Sequence, residues 1–192
     1  ITSIGIDHQQ WLGDNRELIA TEKAGIMRPG KPLVCGDSNP PESIGELVAE
    51  RGARLYQRNK DFSVVDLGSG RWCWHGKGLN GQNRVLDNLP LPLLAIDNVA
   101  TAIQAIELLG LAVNASVYDC IATISLQGRF QHLQYCGRQL ILDVAHNPAA
   151  ARQLSMALQQ PGLCGQTCML FALMQDKDAE GFIAELEPVI DK

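Results

Sequence analysis

No stretch of the chain stays apolar for the roughly 18 residues a membrane-spanning helix needs, so no transmembrane helix is expected. No basic segment followed by an apolar core opens the chain, and no secretory signal is expected either. Lysines and arginines nowhere run together, and 16 basic against 21 acidic residues leave a net charge of −5. A mildly acidic chain without a basic stripe is poorly suited to nucleic acid or to a membrane surface, and neither partner is expected. A small anion remains possible, because a few local donors suffice for it. The 18 glycines and 9 prolines are scattered rather than periodic, which excludes collagen-like and low-complexity structure. The six cysteines contain no CxxC pair, since three residues separate Cys164 from Cys168. That spacing favours buried free thiols in a reducing cytosol over a disulfide framework or a zinc site. No GxxxxGK[ST] phosphate loop occurs.

What is present is ordinary globular material. Of 192 residues, 46% are hydrophobic and 19% charged, enough for one large domain or two small ones. Residues 1–6 read as a strand already under way, and the chain stops inside a helical pattern at Ile190-Asp191-Lys192. Both ends suggest a piece of a longer protein. A helix through Arg16–Met27 is predicted behind Asp14 or Asn15, then a strand at 32–35. A second helix starts with Pro41 in its first position and stops at Gly52; a strand follows at 53–57. Strand–helix alternation of this kind implies a parallel sheet. Short β segments at 62–66, 71–75 and 83–86, separated by Gly-rich turns, imply an antiparallel part, and Leu89-Pro90-Leu91-Pro92 is expected to break it. Helices are predicted over 99–109, with Asn98 near the start and Gly110 at the end, and over 115–124. Strands at 131–135 and 139–143, a helix from Asn147-Pro148, a strand at 167–173 and a helix at 179–190 complete the pattern. Domains are predicted at 1–127 and 136–192, joined through 128–135.

Two motifs mislead. Gly76-Lys77-Gly78-Leu79-Asn80-Gly81 matches GxGxxG, but no helical pattern follows it, so a hairpin loop is expected. Asn114-Ala115-Ser116 is a formal glycosylation sequon that reads better as a helix start.

Other residues carry chemistry at the ends of predicted elements. His8, after an apolar strand, can ligate a metal, donate to a phosphate or bond a nearby carbonyl. Lys23 follows Glu22 beside the small residues Ala24-Gly25-Ile26; a partly desolvated lysine can lose its proton and react, while a solvated surface pair is the plainer reading. Arg129, in Gly128-Arg129-Phe130, can clamp a phosphate or form a surface ion pair. Asp143-Val144-Ala145-His146-Asn147-Pro148 joins a strand end to a helix start. The acid there can hold ribose hydroxyls, the helix N-terminus favours an anion, and His146 can reach a phosphate.

In order, Ile4-Gly5-Ile6-Asp7-His8, Trp11-Leu12-Gly13, Glu22-Lys23-Ala24-Gly25-Ile26, Asn98, Gly128-Arg129-Phe130 and Asp143–Pro148 resemble the folylpolyglutamate and dihydrofolate synthase family of the Mur ligase superfamily. The resemblance runs the length of the chain. It implies an α/β fold: the back part of a Mur ligase-like central ATPase domain, with a parallel sheet and a small antiparallel sheet, before a truncated Rossmann-like C-terminal domain. It also implies ATP-dependent addition of L-glutamate to dihydropteroate or to folates through an acyl phosphate, in the cytoplasm, by a monomer using ATP, Mg²⁺ and a second cation. By the same resemblance His8 is a catalytic Mg²⁺ ligand, Lys23 the lysine that is carbamylated, and Asn98 and Arg129 contact ATP. Asp143 binds ribose and His146 lies in the nucleotide motif. Domain closure would bring Arg129 and Asp143 to the nucleotide. The family's phosphate loop, a metal-binding Glu and the main pterin segments fall before residue 1, so the isolated chain is expected to be inert. The alternatives are a Mur-type UDP-N-acetylmuramoyl-peptide ligase and a non-catalytic nucleotide-binding module.

Overall fold

The computed structural model of the chain describes residues 1–6, 13–159, 163 and 165–191, with Ala115 described for its backbone alone. The chain divides into two compact units, 1–124 and 125–192.

The first unit begins with an α–β–α–β arrangement. Helix α1 (Arg16–Lys23) starts where the Asn15 side chain accepts the Leu18 amide at 3.0 Å, and it tightens into a 3₁₀ turn at Ala24–Ile26. Strand β1 (Pro32–Cys35), helix α2 (Glu42–Arg51) and strand β2 (Arg54–Gln57) follow. Strands β1 and β2 pair in parallel, Pro32 opposite Arg54 and Cys35 opposite Gln57. Pro41 precedes α2 rather than opening it and offers no cap. The Glu17 carboxylate, from α1, accepts the Glu42 and Ser43 amides instead, at 3.2 and 3.0 Å. Gly52 ends the helix at φ 63°, a conformation that favours glycine. Ile4, Ile19, Ala24, Leu33 and Ile44 fill the core here.

The strand expected over 1–6 does not form. Ile1 bonds the Val34 carbonyl and the Gly36 amide, at 2.9 and 2.8 Å, but the Ile4 amide then turns to the Asp37 carboxylate at 2.7 Å. A side chain takes the donor that a ladder would have used.

Strands β3 (Ser63–Gly68), β4 (Arg71–Lys77) and β5 (Asn83–Pro90) form an antiparallel meander. β5 continues through Leu89-Pro90, where a break was predicted. Proline ends an edge strand there, so its missing donor costs no ladder bond. The GxGxxG match is a hairpin loop, closed by a Gly78 amide bond to the Gln82 carbonyl at 2.9 Å. Helix α3 (Ile96–Leu108) lays Val99, Ala100 and Ile103 on Phe62, Trp72, Trp74 and Leu89. Its buried Gln104 bonds both the amide and the carbonyl of Lys77, at 3.0 and 2.6 Å, prolonging β4 with a side-chain amide. The helix starts three residues earlier than predicted, so Asn98 lies within its first turn. Helix α4 (Ala115–Thr123) is capped by Asn114, as its reading as a helix start requires.

The second unit opens with the hairpin β6 (Gln131–Tyr135) and β7 (Arg138–Leu142). Its two turn residues, Cys136 and Gly137, have φ of 48° and 72°, the signs a two-residue hairpin turn needs. Helix α5 (Pro148–Leu158) is capped by Asn147, and α6 (Ala179–Leu186) by Asp178. Ala151, Phe182 and Leu186 form the core between them. The predicted strand at 167–173 is absent among the described residues. Met169 and Leu173 pack on that core, but Thr167 bonds Asp191 and Leu170 is fully exposed. An extended run is a strand only when a neighbour shares its hydrogen bonds. Helix α6 stops at Leu186 instead of 190, because Pro188 has no amide hydrogen to donate. Among the described residues the fold is mixed α/β, with one parallel pair and two small antiparallel sheets. Among the described residues no helix is long and apolar enough to cross a membrane. The five described cysteines are free. Cys35 and Cys73 are buried as expected, but Cys120, Cys136 and Cys168 are exposed.

Candidate functional site

In the second unit, two loops that are 13 residues apart in sequence are tied together by one carboxylate. Asp143, just past β7, accepts the Phe130 amide on Oδ2 at 2.8 Å and the Ala145 amide on Oδ1 at 2.7 Å. The Val144 amide bonds the Gly128 carbonyl at 2.9 Å, and the Gln131 side chain accepts the Gly128 amide at 3.0 Å. Arg129 stands between these anchors with its guanidinium exposed, and no side-chain partner engages it among the described residues. Nδ1 of His146 lies 2.9 Å from the Val144 carbonyl, which requires the ring proton on Nδ1. Asn147 then accepts the Ala150 amide at 2.8 Å and opens α5. Arg129, Asp143, His146 and the start of α5 therefore form one cluster. An exposed arginine on a turn tied to the loop that opens a helix suits a phosphorylated ligand.

In the first unit two of the predicted residues lie on different helices. Lys23 is exposed in the last turn of α1. Asn98 is exposed in the first turn of α3 and lines an open hollow of about 440 Å³ with Ile1, Arg28, Val34 and Thr101. His8 lies outside the described residues. No group of three or more His, Cys, Asp or Glu that could hold a metal occurs among the described residues.

Three features escaped the sequence reading. Asp37 is buried and accepts the Ile4 amide, the Asn39 amide and Arg16 Nη2 within 2.9 Å, fixing the segment that runs toward Asp7-His8. Arg58, 8% exposed, bonds Asp97 through Nε and Nη2 at 3.1 and 2.7 Å and so anchors the turn that carries Asn98. The Lys177 side chain is 5% exposed, its Nζ 3.8 Å from Asp176, in a charged triplet that reads in sequence as solvated loop. A lone charge in a loop carries no periodicity, and only its burial distinguishes it.

Residues 128–192 match the family model described as Mur ligase, glutamate ligase domain. The dihydrofolate synthase/folylpolyglutamate synthase of Escherichia coli (strain K12) is 38% identical over 194 residues, covering 100% of this chain and 44% of that protein. The chain is homologous to these synthases. Among solved structures, E. coli FolC in complex with DHPP and ADP superposes with a TM-score of 0.86 at 37% identity, covering 99% of this chain and 44% of that one. A bifunctional folylpolyglutamate synthase/dihydrofolate synthase with Mn, AMPPNP and L-glutamate bound gives 0.85 at 39% identity, covering 100% and 45%. The chain thus spans a little under half the length of these relatives, and its Asp143 cluster falls inside the glutamate ligase domain match.

Proposed function

We propose that the whole protein carrying this chain is an ATP-dependent ligase that joins L-glutamate to dihydropteroate, to folates, or to both. The observation that carries the reading is the tied Gly128-Arg129-Phe130 turn, which leaves Arg129 exposed and is bound through Asp143 to the loop that opens α5. The names and bound ligands of the synthases similar to this chain support the substrate class. A carboxylate is a poor electrophile, so ATP first transfers a phosphoryl group to one carboxylate oxygen. The glutamate amine then attacks the carbonyl carbon. A C–N bond forms, the C–O bond to phosphate breaks, and the amine proton goes to solvent. In this reading Arg129 offsets the charge on the phosphates, which is the main demand of phosphoryl transfer. Asp143 and His146 serve the nucleotide, and Asn98 contacts ATP. Lys23, once carbamylated, becomes an anion able to serve a metal, and His8 is the residue proposed for Mg²⁺. A cytoplasmic, monomeric enzyme belongs to the same proposal, as does a second cation.

The test follows ATP-dependent incorporation of labelled glutamate by the whole protein into dihydropteroate and into tetrahydrofolate, side by side. Incorporation into either supports the reading, and both together make the enzyme bifunctional. Incorporation only into a UDP-N-acetylmuramoyl substrate would move the assignment to the cell-wall branch.

A further inference from the structure

Helix α3 begins without a side-chain cap. The residue before it is Ala95, whose methyl group accepts nothing, and the Asn98 and Val99 amides bond the Ala95 carbonyl at 2.9 and 3.2 Å. An uncapped first turn tends to fray. Here a distant residue grips it instead. Arg58, just past β2 and 39 residues away from Asp97 in sequence, donates Nε and Nη2 to Asp97 Oδ1 at 3.1 and 2.7 Å. Its Nη1 donates to Asn59 Oδ1 at 2.9 Å, and its own amide bonds the Cys35 carbonyl at 2.9 Å. The guanidinium therefore reaches α3 from the C-terminal end of the parallel pair, where α/β folds place ligands. The Arg58 side chain is 9% exposed and that of Asp97 54%. The Thr101 hydroxyl donates to the Asp97 carbonyl at 2.6 Å, so Asp97 is held by its side chain and its backbone. Asn98 comes next in the turn, exposed, and lines the open hollow with Thr101, Ala102 and Ala105 along one face of α3.

We infer that Arg58 and Asp97 are positioning residues for Asn98: their ion pair stands in for the missing cap, holds the first turn of α3, and so fixes the side chain that meets ATP. The inference rests on the reading that Asn98 contacts ATP, and it gives Arg58 and Asp97 a part in nucleotide affinity. Exposed ion pairs order little. This one has its guanidinium covered and forked onto a single carboxylate oxygen, and Asn59 and Cys35 fix the arginine in turn. Its two charges cancel, so it offers the phosphates no net field. An asparagine on a turn held in this way loses little backbone freedom on binding, which is where preorganisation adds affinity.

The experiment separates action through Asn98 from a direct effect of charge. The whole protein and its Arg58→Met, Asp97→Asn, Asn98→Ala and Arg58→Met/Asn98→Ala variants are titrated with ATP. Amide exchange at Asn98 and Val99 and the KM values for ATP and glutamate are followed in parallel. Methionine fills the space of the arginine stem, and Asp97, half exposed at a helix N-terminus, tolerates the loss of its partner. Asn98→Ala should weaken ATP by roughly fivefold to tenfold, for a lost hydrogen bond. Arg58→Met and Asp97→Asn should each weaken ATP by a few-fold, raising KM for ATP while kcat and KM for glutamate hold. Beside Asn98→Ala, Arg58→Met should weaken ATP no further. Amide protection at Val99 should fall in Arg58→Met. A direct effect on the anionic nucleotide would move the two charge variants in opposite directions, since one loses a cation and the other an anion, and that result overturns the inference. An Arg58→Met penalty that persists in full beside Asn98→Ala overturns it too, as does unchanged Val99 protection. Wild-type ATP affinity in Asn98→Ala would overturn the ATP contact and the positioning role together. A loss in Asn98→Ala with none in Arg58→Met would overturn the positioning role alone. If Arg58→Met fails to fold, Asp97→Asn decides, and wild-type affinity for ATP in that variant overturns the inference.

Discussion

Gly36 is buried directly after β1, against α3, and no side chain fits there without moving Thr101. A methyl group on Gly36 would collide with Thr101 Oγ1 and stand 3.3 Å from both Cβ and Cγ2. Thr101 cannot swing aside freely. Its hydroxyl donates to the Asp97 carbonyl at 2.6 Å and the residue is 8% exposed. Gly36→Ala must therefore push β1 and α3 apart, a form of overpacking that costs about 1–3 kcal/mol. Thr101→Ala removes Oγ1 and Cγ2, leaving Cβ as the one Thr101 neighbour at 3.3 Å, and on its own costs about 1 kcal/mol for the lost hydrogen bond and methyl group. The double variant should be more stable than the sum of the single penalties allows, by about 1 kcal/mol or more. Urea unfolding followed by tryptophan fluorescence measures this in the right place, since Trp11, Trp72 and Trp74 all fall within residues 1–124. At an m-value of about 2 kcal/mol per molar, a loss of 2 kcal/mol lowers the midpoint by about 1 M. Strict additivity within about 0.5 kcal/mol, the behaviour of sites that do not touch, would refute the packing argument.

Glu17 predicts a pH effect. The Ser43 hydroxyl and amide, helped by the Glu42 amide and Arg16, hold its carboxyl below the usual glutamate range. Its contribution is therefore complete above the unfolded-state pKa and is lost as pH falls through the lower folded-state value. Wild type should exceed Glu17→Gln in stability near neutral pH, and the gap should close in acid; a gap constant with pH would contradict the capping role. Burial pushes the Cys35 and Cys73 thiols up, so they stay protonated and covered. A thiol reagent at neutral pH should label Cys120, Cys136 and Cys168 quickly in the native chain and the other two only on unfolding, as peptide mapping would show. Gln104→Leu strips two hydrogen bonds from Lys77 and should cost about 2–3 kcal/mol in the same urea assay, with near-wild-type stability arguing against the side-chain extension of β4.

Where neighbours in sequence decide the structure, the elements could be read in advance. Asn15, Gly52, Gly110, Asn114 and Asn147 mark helix ends through bonds and φ values that only nearby residues set. The parallel pair followed from strand–helix–strand alternation, and the GxGxxG decoy was separable because no helical period follows it. What could not be read depends on distant partners. Residues 1–6 and 167–173 have strand-like composition, but Asp37 and Asp191 claim backbone donors there. Arg58 and the Lys177 side chain are buried, and a charged residue in a loop gives no sign of that. Arg129, Asp143 and His146 were recognisable as chemistry at element ends. That Asp143 bonds Phe130 depends on how the β6–β7 hairpin closes, which no local pattern encodes.

The central claim is that the Gly128-Arg129-Phe130 turn presents the arginine to the phosphates of ATP during glutamate ligation. Its most direct test compares Arg129→Ala with wild type in the whole protein, under saturating dihydropteroate and glutamate. The readout is ATP-dependent amide formation, with the urea midpoint measured on the same samples. A guanidinium that stabilises transferring phosphate predicts a loss of about a hundredfold or more in rate. Because the side chain is exposed and unpaired among the described residues, the urea midpoint should not change. Amide formation within a few-fold of wild type, at unchanged stability, would contradict the account.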